Sequence, residues 1–153
     1  MTIKEDTGRK IGSVNMRRLF ILRKDILKEN PGKAIAMIAH CSEAYWTNWL
    51  RKNTDLNGHV DGWIDEDIFE KYINASFVKT ICEAKNLNHL KKAEEKAKEL
   101  GLVENIDFGY INDNCLTVLT PENEDGTTTV GIWFKPLTDD ISRQISKKYQ
   151  LYK

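Results

Sequence analysis

The sequence predicts an α/β domain, a three-layer α/β/α arrangement built on a four-stranded mixed β-sheet. Three observations predict it. Short apolar runs of strand length alternate along the chain with segments of helical period. The first run, RLFILR at 18–23, leads through Lys-Glu-Asn-Pro-Gly into a long helical pattern. Two further strand-like segments, at 108–111 and 127–134, follow one another with no helix between them. The alternation favours a largely parallel sheet, to which that close pair adds an antiparallel ladder.

The leader at 1–16 is polar and without periodicity, and it reads as a flexible segment ahead of one domain at 17–153. In the turn after 18–23, Asn30 is placed to cap a helix and Pro31 to occupy its first position. From 31 to 52, Ile35, Ile38, Ser42, Tyr45 and Trp49 recur at steps of three and four, a face expected against the core. Lys33, Met37 and His40 return to another face, roughly opposite, which is expected to present an amine and an imidazole. Residues 53–62 are turn-rich, and 65–73 form a short helix. Residues 77–84 alternate as a strand. Asn86 or Asn88 caps the next helix, whose Leu87, Leu90, Ala93, Ala97 and Leu100 sit at helical spacing before Gly101. The strands at 108–111 and 127–134 are rich in β-branched and aromatic residues. Thr138 opens a last helix bearing Ile141, Ile145 and Tyr149.

At 153 residues, 41% apolar and 30% charged, the chain is of ordinary globular composition. No apolar run approaches the roughly 20 residues of a membrane helix. The opening residues lack the apolar core of a secretion signal. Cys41, Cys82 and Cys115 show neither a disulfide framework nor metal spacing, which fits small buried hydrophobes in a reduced, cytoplasmic setting. His40, His59 and His89 show no zinc spacing. The formal net charge of zero is unevenly spread. Residues 1–52 carry 11 basic and 5 acidic side chains, and residues 53–76 carry 1 and 6. A basic N-terminal third with Arg17, Arg18, Arg23, Lys24, Lys28 and Lys33 can meet a phosphate backbone.

Two local patterns are set aside. The segment 55–66 places Asp55, Asn57 and Glu66 at three positions of a calcium-binding EF-hand loop. Val60 stands where that loop needs glycine, and His59 replaces an oxygen ligand. Cys41 directly follows His40 on the helix, so their side chains diverge by about 100° and form no nucleophile–base pair. The tryptophans at 46, 49, 63 and 133 read as core or interface anchors rather than base-stacking platforms.

The stretch FILRKDILKENPGKAIAMIAH, 20–40, resembles the opening motif of the type 2 peptidyl-tRNA hydrolases: strand, R-x-D-L, a Gly-Lys pair, A-Q and a histidine. Arg23, Asp25, Gly32, Lys33, Ala36 and His40 occupy the matching places. Downstream, INDNCLT at 111–117 is similar to the family's I-R-D-A-G-x-T. TPENEDGTTTV is similar to its P-G-T-x-T-V with residues 122–125 inserted. The strand and E/K-rich helix at 77–102 and the tail from Pro136 complete a resemblance over 17–153, looser at 53–76. The chain departs from the pattern at Met37 for glutamine, Asn112 for a basic residue, and Asn114-Cys115 for Ala-Gly. The last change falls on a turn where glycine supplies positive φ.

The resemblance implies hydrolysis of the ester joining a peptide to tRNA, in the cytoplasm, by a homodimer that needs no metal or other cofactor. It implies a catalytic set of Lys33, Asp113, Thr117 and His40. Lys33 stabilises oxyanion or phosphate charge near a helix N-terminus, while Asp113 and Thr117 orient or deprotonate water. His40 acts there or supports the site. Arg23, Lys24, Asp25, Lys28 and Gly32 are the expected substrate-binding residues. The alternative is a non-catalytic tRNA- or protein-binding module on the same fold, since fold does not guarantee chemistry.

Overall fold

The computed structural model describes residues 15–153. It is a mixed α/β fold with one open sheet. Strand β1 (Met16–Arg23) pairs in parallel with β2 (Lys79–Ala84) and antiparallel with β4 (Thr128–Phe134). Strand β3 (Phe108–Asp113) pairs antiparallel with β4 and forms one edge. Two-residue strands complete the sheet: β5 (Leu137–Thr138) beside β1 and β6 (Gln150–Leu151) beside β2.

The sheet thus has six strands where four were expected. Pieces as short as β5 and β6 carry no legible alternation of their own; pairing with β1 and β2 defines them. Nor is the sheet largely parallel, because β1 with β2 is its one parallel ladder among the described residues. The expected leader lies outside the described residues except for Asn15 and Met16, and Met16 already pairs with Thr138.

Alternate residues of β1 feed two apolar clusters, as the two-residue strand period requires. Leu19 and Ile21 join Leu90, Ala93 and Ala97 of α4 (Leu87–Glu99) and Ile145 of α5 (Asp139–Ser146). Phe20 and Leu22 join Ala34, Met37 and Cys41 of α2 (Pro31–Asn53). The two clusters hold helices against β1 from residues of opposite parity. Asn86 and Thr138 cap α4 and α5 by accepting the backbone N–H groups of His89 and Ile141.

The apolar phase of α2 differs from the expected one. Its buried stripe is Ala34, Met37 and Cys41, while Ile35 is 68% exposed. Ile38 and Tyr45 stay half-buried on the flank of the stripe. Small residues at 34 and 41 let the helix approach Phe20, Leu22 and Trp133 closely, which large residues at 35 and 38 do not offer. The bulkiest side chains therefore mark the rim of the contact rather than its centre.

Arg18 ties α2 to the sheet. It is fully buried, and its guanidinium donates to the carbonyls of Phe134 (2.6 Å), Ser42 (3.0 Å) and Cys41 (3.0 Å). Its charge also sits 4.8 Å from the Phe20 ring centroid. At the other end of α2, Trp46 stacks on Tyr72, which belongs to a π-helical turn, Phe69–Ile73, following α3 (Glu66–Ile68). The intervening acidic loop is closed by a Thr54–Val60 bridge, and Asp55 Oδ1 accepts the N–H groups of Asn57 and His59. Asp55 is thereby used as a turn former. Trp63, read as an anchor, is 93% exposed in this loop.

Candidate active site

The N-terminus of α2 is reached from β1 through a single helical turn, α1 (Lys24–Leu27). Asn30 begins α2 without a side-chain cap, and its carbonyl accepts Ala34 N–H. Pro31 holds the first position. In this geometry the first-turn amides of Gly32 and Lys33 have no intrahelical acceptor. Gly32 is exposed, with open space where a Cβ would stand.

Lys33 meets Asp113 from 80 positions away in the chain: Nζ lies 2.9 Å from Oδ1. The lysine side chain is 20% exposed and the carboxylate 7%. Asp113 Oδ2 accepts the N–H of Cys115 at 2.9 Å. Burial opposes ionisation of this carboxyl, but the hydrogen bonds from Lys33 and Cys115 outweigh it and hold Asp113 below its ordinary value of 3.8. Each carboxylate oxygen keeps a further lone pair for water or substrate.

The turn behind Asp113 has the expected demand for positive φ. Cys115 adopts φ +59°, and this is what brings its N–H onto the carboxylate. A Cβ in the left-handed region costs about 1–2 kcal/mol. Glycine removes that cost, offset in part by its freer unfolded chain and by the lost sulfur packing. Cys115→Gly is therefore expected to raise the unfolding free energy by about 0.5–1 kcal/mol, measured by urea denaturation at constant m. A decrease would mean that the thiol's packing dominates.

The other expected residues fall into three groups. Thr117 and His40 are exposed, and neither side chain has a hydrogen-bond partner among the described residues. Thr117 lies in the bend after Cys115. His40 stands two helical turns along α2 from Lys33 and lines a cleft against Ile111 of β3. Arg23 is turned inward: it is bidentate to Asp25, at 3.2 and 2.9 Å, and reaches Glu122 at 2.5 Å and the carbonyl of Thr129 at 3.1 Å. Lys24 donates to the Lys153 carbonyl, 4.2 Å from the Tyr152 ring centroid, and Lys28 is exposed.

Sequence reasoning missed Glu122, which belongs to the inserted segment. Its pairing with Arg23, together with Glu122 N–H to Thr128 Oγ1 and Thr128 Oγ1 to the Thr120 carbonyl, fastens that loop to the sheet. No local signal in the sequence links the two, because Glu122 stands 99 positions from Arg23. No group of three or more His, Cys, Asp or Glu side chains placed to hold a metal occurs among the described residues. No helix there is long and apolar enough to cross a membrane.

The sequence profile of the family described as Peptidyl-tRNA hydrolase PTH2 matches residues 16–152. No curated protein matches the chain. Among solved structures, a protein of unknown function from Agrobacterium tumefaciens strain C58 is similar at 11% identity, covering 91% of this chain and 98% of its own, with a TM-score of 0.48.

Proposed function

The chain belongs to the PTH2 family of peptidyl-tRNA hydrolases, and we propose that it hydrolyses the ester between peptide and tRNA, with Lys33 and Asp113 at the centre of the reaction. The observation that carries this reading is the 2.9 Å contact between those two side chains, which come from the chain's two separate matches to the family pattern. Water adds to the ester carbonyl carbon, the bond from that carbon to the ribose oxygen breaks, and that oxygen takes up a proton. The products are a free peptide acid and tRNA.

Lys33 contributes positive charge where the carbonyl oxygen becomes negative, beside the first-turn amides of α2. Asp113 fixes the ammonium group and accepts a hydrogen bond from water. Because its acidity is strengthened, it acts more through orientation and charge than as a strong base. Thr117, exposed in the bend four residues after Asp113, supplies a hydroxyl to the substrate. Lys24 and Lys28 lie at the same end of the chain's basic third and receive tRNA phosphates, while Arg23 and Asp25 brace the loop beneath. His40 supports substrate rather than the proton transfer. This reading carries with it the cytoplasm and a homodimer, both implied by the resemblance.

The test is release of tRNA from a defined peptidyl-tRNA by purified protein beside Lys33→Ala. The expected result is turnover by the wild type and a loss of about a hundredfold or more in the variant. Tight binding of peptidyl-tRNA by the wild type without turnover would replace the enzyme by a binding module.

A further inference from the structure

We propose that Glu122 is a positioning residue for the hydrolysis. Through Arg23 it fixes the bend at 114–121, so that the Thr117 hydroxyl meets the substrate reacting at Lys33 and Asp113. This rests on the peptidyl-tRNA reading above and adds to it a residue of the inserted segment.

The bend has to be held from its ends. Among the described residues, no backbone–backbone hydrogen bond involves 114–121. Leu119 is its one buried side chain, and Thr117 stands exposed between Leu116 and Val118, which are exposed as well. At the first end, the Cys115 N–H rests on Asp113 Oδ2 at 2.9 Å. At the second, Thr128 Oγ1 donates to the Thr120 carbonyl at 2.6 Å and accepts the N–H of Glu122 at 3.0 Å. The Glu122 carboxylate then reaches Arg23. A segment with so few contacts of its own keeps one conformation only if both ends are fixed.

Arg23 fixes the second end relative to the rest of the site. Its buried guanidinium donates through Nε and Nη2 to Asp25, and through Nη1 to Glu122 at 2.5 Å and to the Thr129 carbonyl at 3.1 Å. Asp25 lies in α1, the turn that leads into α2 and Lys33. Thr129 follows Thr128, the cross-strand partner of Asp113. One guanidinium thereby joins the segment carrying Lys33, the strand beside Asp113 and the far end of the Thr117 bend. Among these partners only Glu122 belongs to the bend's end. Without it, Nη2 keeps Asp25 and Nη1 keeps the Thr129 carbonyl, so the Lys33–Asp113 half stays in place while the bend is released.

A carboxylate suits this task. Burial disfavours the charge of Arg23, but the hydrogen bonds of Glu122 and Asp25 outweigh it and hold the guanidinium above its ordinary value. Glu122 itself is exposed at the surface, so replacing it opens no core cavity. The expected consequence is a displaced hydroxyl, and a displacement of about 1 Å can cost up to about a hundredfold in rate.

The experiment is a double-mutant cycle on single-turnover hydrolysis of one defined peptidyl-tRNA, in which maximal rate and half-saturating enzyme concentration are read separately. Glu122→Ala is expected to lower the maximal rate about tenfold, with half-saturation changed by less than about twofold. Glu122→Gln keeps an oxygen facing Nη1 and should show an intermediate fall of about threefold. In a Thr117→Ala background, Glu122→Ala should cost less than about twofold more, because the group it positions is gone. Urea midpoints, in contrast, should fall equally in both backgrounds. Should Glu122→Ala not fold, Glu122→Gln carries the same cycle, its fall vanishing beside Thr117→Ala. A wild-type rate in folded Glu122→Ala, or in Thr117→Ala, would overturn the positioning role and leave the hydrolase reading standing. An undiminished loss beside Thr117→Ala would overturn it too, since Glu122 would then act on the Lys33–Asp113 pair or on stability alone. No turnover by the wild type would remove the parent reading and the positioning role together.

Discussion

Asp113→Asn is expected to lower kcat/KM for peptidyl-tRNA by at least about a hundredfold while the protein remains folded. Asparagine keeps the volume, and its carbonyl can still accept Cys115 N–H. What it removes is the negative charge that fixes Lys33 at 2.9 Å. Its amide group would then face an ammonium group, donor against donor, and Lys33 would turn toward solvent. Charge, water acceptor and lysine position would all be lost in this one change, so the expected fall is at least as large as that of Lys33→Ala. Wild-type turnover by the Asp113→Asn variant would remove Asp113 from the reaction.

The acidity of Asp113 adds a pH signature to that substitution. Its folded value lies below the ordinary 3.8 because Lys33 and Cys115 favour the carboxylate more than burial disfavours it. A depressed folded value means the unfolded chain binds more protons as pH falls. The associated stability is present above the unfolded value and is lost as pH drops through the folded one. The stability difference between wild type and Asp113→Asn should therefore shrink below pH 3.8, read from urea midpoints across acid pH. The acid limb of kcat/KM reports free-enzyme groups, and if set by Asp113 it lies below that same value.

The two halves of the site were legible to different degrees for physical reasons. Lys33 and Asp113 could be singled out because each sits in its own ordered motif, although nothing local says that they touch. Only the β1–α2 and β3–β4 connections bring them together. The positive φ at Cys115 was foreseeable because a glycine in the family pattern marks a backbone demand, and the chain meets that demand with a Cβ. The phase of α2 was misread because large apolar residues dominate a periodicity, whereas close helix–sheet contact is made by small ones such as Ala34 and Cys41. The role of Arg23 could not be read from its own motif, since its second carboxylate, Glu122, arrives from an insertion 99 positions away.

Arg18→Ala is expected to cost about 3–5 kcal/mol of folding stability, the largest structural effect. Arg18 was counted among basic residues available to phosphate, yet it is fully buried. Burial pushes its guanidinium down to about 10, against smaller opposing contributions from Tyr72, Cys41 and Tyr45. The charged form is therefore disfavoured by folding in itself. It is held by three backbone carbonyls, of Phe134, Ser42 and Cys41. Two of these lie within α2 and also accept helical amides, so truncation strands the Phe134 carbonyl most completely. Alanine adds a cavity between α2 and the sheet. Arg18→Met fills most of that space and removes the buried charge, and it should recover at least about 1–2 kcal/mol of the loss. Arg18→Lys keeps a charge but replaces a planar fork by one ammonium head, which cannot reproduce the spread of three acceptors. The order expected from urea unfolding at constant m is wild type, then Met, then Ala. Methionine as damaging as alanine would mean that the fork of donors, rather than the stem that fills the space, holds α2 and its Lys33 over the sheet.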